Sequence, residues 1–155
     1  MQAVCELFVH PAGWRTVIAE QLIDFVWIRI SKIGGIAAAI KTAQVAEAFG
    51  ARTAWSGGGD NGPTNIEAAI QENPSCWNFG IQEEEHFRPE WIEAFPGTPV
   101  VDRGCVHPSG EPGPGVDLDE AFVNSGRRPC WVLPGGRPQP AARPGPQGCR
   151  LSLTL

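Results

Sequence analysis

Apolar residues fall in short runs that alternate with stretches of helical spacing. Ala3 to Phe8 (Ala-Val-Cys-Glu-Leu-Phe) predicts a first strand. Thr16 to Leu22 sets Val17, Ile18 and Leu22 at helical spacing. Phe25 to Ile30 (Phe-Val-Trp-Ile-Arg-Ile) is β-rich and almost wholly apolar, as a buried parallel strand should be. Gly34-Gly35 interrupts the chain. Ile36 to Phe49 is alanine-rich with one apolar face and predicts a helix, with Gly50 at its C′ position. Thr53 to Trp55 predicts a third strand, followed by Gly57-Gly58-Gly59. Pro63 to Gln71 predicts a helix with proline in its first turn. Phe79 to Gln82 predicts a fourth strand, Pro89 to Phe95 a short helix and Val101 to Val106 a small hairpin.

Strand starts near 3, 25, 52 and 78 repeat every ~25 residues with helices between, the signature of βαβ units in a parallel sheet. Glu6, the Ser56–Asp60 loop and Glu83 then lie at or just beyond strand C-terminal ends, where α/β folds place their chemistry.

The net charge of −5 hides a split. Residues 1–125 carry seven basic and 17 acidic side chains; residues 126–155 carry five arginines, no acid, six prolines and five glycines. Segments such as Arg143-Pro144-Gly145-Pro146 hold neither a helix nor a central strand, so residues 125–155 read as a low-complexity basic tail, disordered by composition. The acidic body argues against a nucleic-acid partner. No apolar run reaches the ~20 residues a membrane-spanning helix needs. Without a basic, then apolar, leader, the N-terminus points to the cytoplasm. Five cysteines, at 5, 76, 105, 130 and 149, form neither a disulfide framework nor a zinc pattern.

Each polar candidate has a plain alternative. Glu6 in an apolar strand needs a cation or a strong donor: it is a metal ligand or a carboxylate at a solvated strand end. Ser56-Gly57-Gly58-Gly59-Asp60 could cradle an anion, but it lacks both phosphate-loop patterns and Asp60 would repel phosphate, so a loop leading into a helix is favoured. In Glu83-Glu84-Glu85-His86, consecutive residues do not share a face; Glu83 ends the strand and the rest read as a solvated turn. Asp117, Asp119 and Glu120 alternate like the start of a calcium loop, but the required glycine and terminal Glu are missing, so an N-cap and first turn fit better. His10 and His107 lie beside prolines and suggest no role. The tryptophans read as core or barrel-wall packing.

Several stretches together resemble the C-terminal barrel of the enolase superfamily, in its mannonate dehydratase (starvation-sensing protein) branch. They are Cys5-Glu6-Leu7-Phe8, Glu20-Gln21-Leu22-Ile23-Asp24-Phe25 running into Ser31-Lys32-Ile33-Gly34-Gly35-Ile36, Glu47-Ala48-Phe49-Gly50-Ala51-Arg52-Thr53-Ala54-Trp55, and Asn78-Phe79-Gly80-Ile81-Gln82-Glu83. Phe95-Pro96-Gly97 and Pro112-Gly113-Pro114-Gly115-Val116-Asp117-Leu118-Asp119-Glu120 match in kind and order. The likeness covers about residues 3 to 124. It implies an α/β fold in which residues 1–124 are the C-terminal half of a (β/α)7β barrel, about four βα units. It also implies a sugar-acid substrate, with proton abstraction α to the carboxylate, enediolate stabilisation by Mg2+ and loss of the β-hydroxyl. Glu6 is similar to the third metal carboxylate, the first two lying upstream; Asp60 and Glu83 match catalytic positions.

Two departures bear on activity. The family has Arg at the position of Trp27 and His at that of Ser56; serine cannot do an imidazole's proton transfer, and tryptophan offers no cationic fork. Arg29, on the same strand face as Trp27, would compensate only in part. The chain alone is therefore expected to be inactive: a dehydratase fragment, a non-catalytic remnant, or a subunit that pairs through open sheet edges with another chain or copy. Loss of the family's ending near Asn124 suggests a change of reading frame, which translation of the other two frames beyond codon 124 would test.

Overall fold

The computed structural model describes residues 1–57, 61–84 and 86–127. Four strands, β1 (Ala3–Val4), β2 (Phe25–Ile28), β3 (Arg52–Trp55) and β4 (Phe79–Gln82), form one parallel sheet in chain order. The strands are parallel, as expected from the repeat, and order β1-β2-β3-β4 without reversal is that of a barrel segment, as the resemblance implies, and differs from the reversing order of a doubly wound sheet. Register pairs Val26 with Thr53 and Ile28 with Trp55, all directed to one face; Trp27, Ala54 and Ile81 align on the other.

The helices are α1 (Pro11–Ala19), α2 (Ile30–Ile33), α3 (Ile36–Ala48), α4 (Pro63–Glu72), α5 (Pro89–Ala94) and α6 (Glu120–Asn124). Val26, Ile28 and Trp55 bury their side chains with Trp14 and Ile18 of α1, Ala39, Ala43 and Ala46 of α3, and Ala68 and Ala69 of α4. The α3 alanines keep side-chain volume small where the helix meets the sheet, and among the described residues the other sheet face has no such helix layer: Ile81 is 58% exposed.

Several boundaries differ from the sequence reading. The first strand ends at Val4, because Cys5 takes φ 103° and turns the backbone; Glu6 therefore sits beyond the strand rather than inside it. Helix α1 begins at Pro11, well before Thr16: proline suits the first position, and the His10 side chain accepts from the Ala12 N–H, giving His10 a capping role. Strand β2 stops at Ile28; the single turn of α2 follows and Gly34, at φ 106°, ends it. The hairpin reduces to one antiparallel bridge, Asp102 to Cys105. Asp119 caps α6 by accepting from the Phe122 N–H, as its acidic pattern predicts. Trp14 and Trp55 are core residues, but Trp77 is exposed, so the packing expectation fails there. Glu84 is half-buried rather than solvated. Arg127 lies over the Phe122 ring and pairs with Glu93, tying α6 to α5. Asp60, Glu85 and the tail from residue 128 lie outside the described residues.

Candidate functional site

Strand C-terminal ends set Glu6, Ser56 and Glu83 in two hydrogen-bonded groups that the Ser56–Gly57 peptide joins into one network. Arg29, extended just after β2 and 4% exposed, is the centre of the first group. Its Nη2 donates to Glu6 Oε1 at 2.6 Å and lies 3.3 Å from Ser56 Oγ. A guanidinium cannot lose its proton in a protein, so this buried charge persists because it is paired. Ser56 follows β3 and is itself fully enclosed: its N–H donates to the Ile28 carbonyl, and its carbonyl accepts from Asn61 Nδ2 at 2.8 Å.

The next residue continues the network. The Gly57 N–H donates to Glu83 Oε2 at 3.0 Å, and Trp27 Nε1 donates to the same oxygen at 3.3 Å. A Cβ at Gly57 would collide with the Glu83 carbonyl, so only glycine lets the β3 loop pass this close to the end of β4. Glu83 also borders a cavity of about 310 Å3 on the open sheet face, lined besides by Ala3, Trp27, Ala54 and Ile81. Burial pushes the Cys5 thiol up to about 11, so next to Glu6 it stays protonated near neutral pH and is no nucleophile.

The network clarifies the two departures. Trp27 offers no cation, but its indole N–H orients the Glu83 carboxylate. Ser56 cannot take the imidazole's part in proton transfer, but its hydroxyl lies against Arg29. Gly57 escaped the sequence reading as a site residue, and Arg29 entered it only as a partial stand-in for the cation missing at Trp27. Arg29 carried a faint signal, being the one cation of an otherwise apolar run and on the period of Trp27; Gly57 looked like one glycine of a flexible loop.

Mg2+ takes several oxygen ligands. Among the described residues no group of three His, Cys, Asp or Glu could hold a metal ion, and the Glu6 carboxylate is bonded to Arg29. The residues, as the chain presents them, do not fit the ion.

Residues 3–122 match the family described as enolase C-terminal domain-like. The chain belongs to that family. It is 54% identical over 119 residues to a D-galactonate dehydratase family member of Paenibacillus sp. (strain JDR-2), covering 77% of this chain and 29% of that one. A D-galactonate dehydratase family member of Pantoea ananatis is 40% identical over 135 residues, covering 84% and 32%. Among solved structures, an enolase from Pantoea ananatis with bound D-gluconate and Mg superposes with a TM-score of 0.76 at 41% identity, covering 79% of this chain and 30% of that one. The chain thus spans about three tenths of the length of the curated relatives it matches. The four-stranded unit is the C-terminal portion of a TIM-type barrel, as the resemblance implies.

Proposed function

We propose that this chain is the C-terminal barrel portion of a sugar-acid dehydratase of the mannonate or gluconate type, and that it turns over no substrate alone. The observation that carries this reading is the strand-end network: Glu6, Ser56 and Glu83 meet at the position where barrels place their chemistry, on a chain whose relatives are dehydratase family members. Glu83, and Asp60 by its place in the motif, stand for the proton-transferring groups of that lineage. Glu6 stands for its metal carboxylate, although here it is held by Arg29. Residues 1–124 form the barrel portion in this reading, with a separate basic tail from residue 125, and the cytoplasm is the place of action.

What the chain presents supports inactivity. An imidazole is replaced by a serine hydroxyl, and the strand-end carboxylates are engaged by Arg29, Trp27 and Gly57 rather than open to a substrate. Purified chain incubated with Mg2+ and D-mannonate or D-gluconate is expected to release no 2-keto-3-deoxy product. Product that disappears in Glu6→Gln would overturn the inactivity. Trp27→Arg with Ser56→His should not restore turnover in the isolated chain. With Arg29→Met as well, so that Glu6 is released for the metal, the same changes in a chimera that places the upstream part of the Paenibacillus relative before Met1 should do so; a folded chimera without turnover would count against the dehydratase lineage.

A further inference from the structure

One cation spans three successive strand ends. Glu6 follows β1, Arg29 follows β2 and Ser56 follows β3, and a single guanidinium nitrogen reaches both Glu6 Oε1 and Ser56 Oγ. Arg29 is buried, permanently charged and matched to a carboxylate at a charge-assisted distance. A divalent ion on that carboxylate would sit close to a fixed positive charge. Alternatively it would have to displace Arg29 and leave a guanidinium buried without this acid, a strongly unfavourable exchange. At the end of β4, Glu83 is likewise spoken for by two N–H donors from within the chain.

We propose that the Arg29 guanidinium serves as the strand-end cation of this chain, clamping the ends of β1, β2 and β3 together, and that Glu6 therefore does not take up Mg2+. The dehydratase reading enters only in the choice of ion. The clamp itself stands on the contacts of Arg29.

Thermal unfolding of the full chain tests this, in chelator and in about 10 mM Mg2+, with Mn2+ followed by electron paramagnetic resonance as a visible probe. The expected result is the same midpoint in both solutions and no saturable Mn2+ binding. In chelator, Glu6→Gln and Arg29→Met should each lower the midpoint, and the double substitution should lower it no further than one alone. Methionine keeps the apolar stem of the arginine, so packing loss is kept small. Ser56→Ala removes only the longer bond; its smaller loss should vanish when Arg29 is already methionine, and if the Arg29 variant fails to fold, the Glu6→Gln midpoint in chelator still decides, since loss of the clamped acid must lower it. A midpoint raised by Mg2+, Mn2+ binding abolished by Glu6→Gln, additive losses, or a wild-type chain without a cooperative transition would each overturn the proposal. No readout depends on turnover, so failure here and failure of the dehydratase reading are separate results.

Discussion

At the scale of single residues, burial decides what the charged groups can do. Glu72, at the end of α4, is 4% exposed, and neither carboxylate oxygen has a hydrogen-bond partner among the described residues. Burial pushes its carboxyl up to about 7, and burial, with this acid and Glu47, raises the Cys76 thiol. The folded chain therefore holds the Glu72 proton more tightly than the unfolded chain. That contribution to stability is fully present below about pH 4.5 and is lost as pH rises through about 7. Unfolding midpoints at pH 5 and pH 8 should show Glu72→Gln flattening this fall, recovering on the order of 3 kcal/mol at the higher pH. A variant with the wild-type pH slope would show that Glu72 is not the group responsible. Gly57 is limiting for a steric reason. Gly57→Ala forces the loop away from the Glu83 carbonyl and should cost about 2 kcal/mol in denaturant unfolding. Of the site, Glu83 was legible because the end of β4 can be counted, and Glu6 because it is the one acid in an apolar run. The grip of Arg29 was not, because a contact across 23 residues follows from sheet register.

At the scale of elements, the helices owe their positions to apolar spacing and their attachments to a few polar clasps. Glu67 on α4 is buried, and its Oε1 accepts from the Ser109 N–H at 2.8 Å and from Gln71 Nε2 at 2.9 Å, while Gln71 also reaches the Ser109 carbonyl. This clasp fixes the loop after the Asp102–Cys105 bridge against α4. Glu67→Ala strands the Ser109 amide and should cost about 2–3 kcal/mol, with faster hydrogen exchange at Ser109. Glu67→Gln keeps an acceptor and should lose less; equal losses would deny the hydrogen bond its role. The period from strand to strand was readable because parallel sheets need a helix between neighbours. The end of β1 was not, since the run to Phe8 is apolar on both sides of Glu6 while the backbone turns at Cys5.

At the scale of the whole molecule, the four strands leave two edges and one face open among the described residues. There, strands β1 and β4 each have a hydrogen-bonded neighbour on one side only, and Ile81 exposes its side chain on the inner face. Open parallel edges beside an apolar face favour association. Sedimentation velocity of the chain should show a mean mass that rises with concentration, and Ile81→Lys, which charges the open face, should shift it towards monomer. A monomer at every concentration would count against pairing through these edges.

The alternation of apolar runs determined by itself that this chain builds four βα units, because burying one sheet face requires that pattern and little else satisfies it. Its motifs determined the family, since Asn78-Phe79-Gly80-Ile81-Gln82-Glu83 and Lys32-Ile33-Gly34-Gly35 stand in order at the right strand and turn. Only the tertiary structure decided what the strand-end carboxylates face. Glu6 and Glu83 looked like groups awaiting a metal or a substrate, and the fold gives them Arg29, Trp27 and Gly57. Local pattern fixes which face a residue takes, whereas the partner of a buried charge depends on strands that meet only when the sheet is assembled.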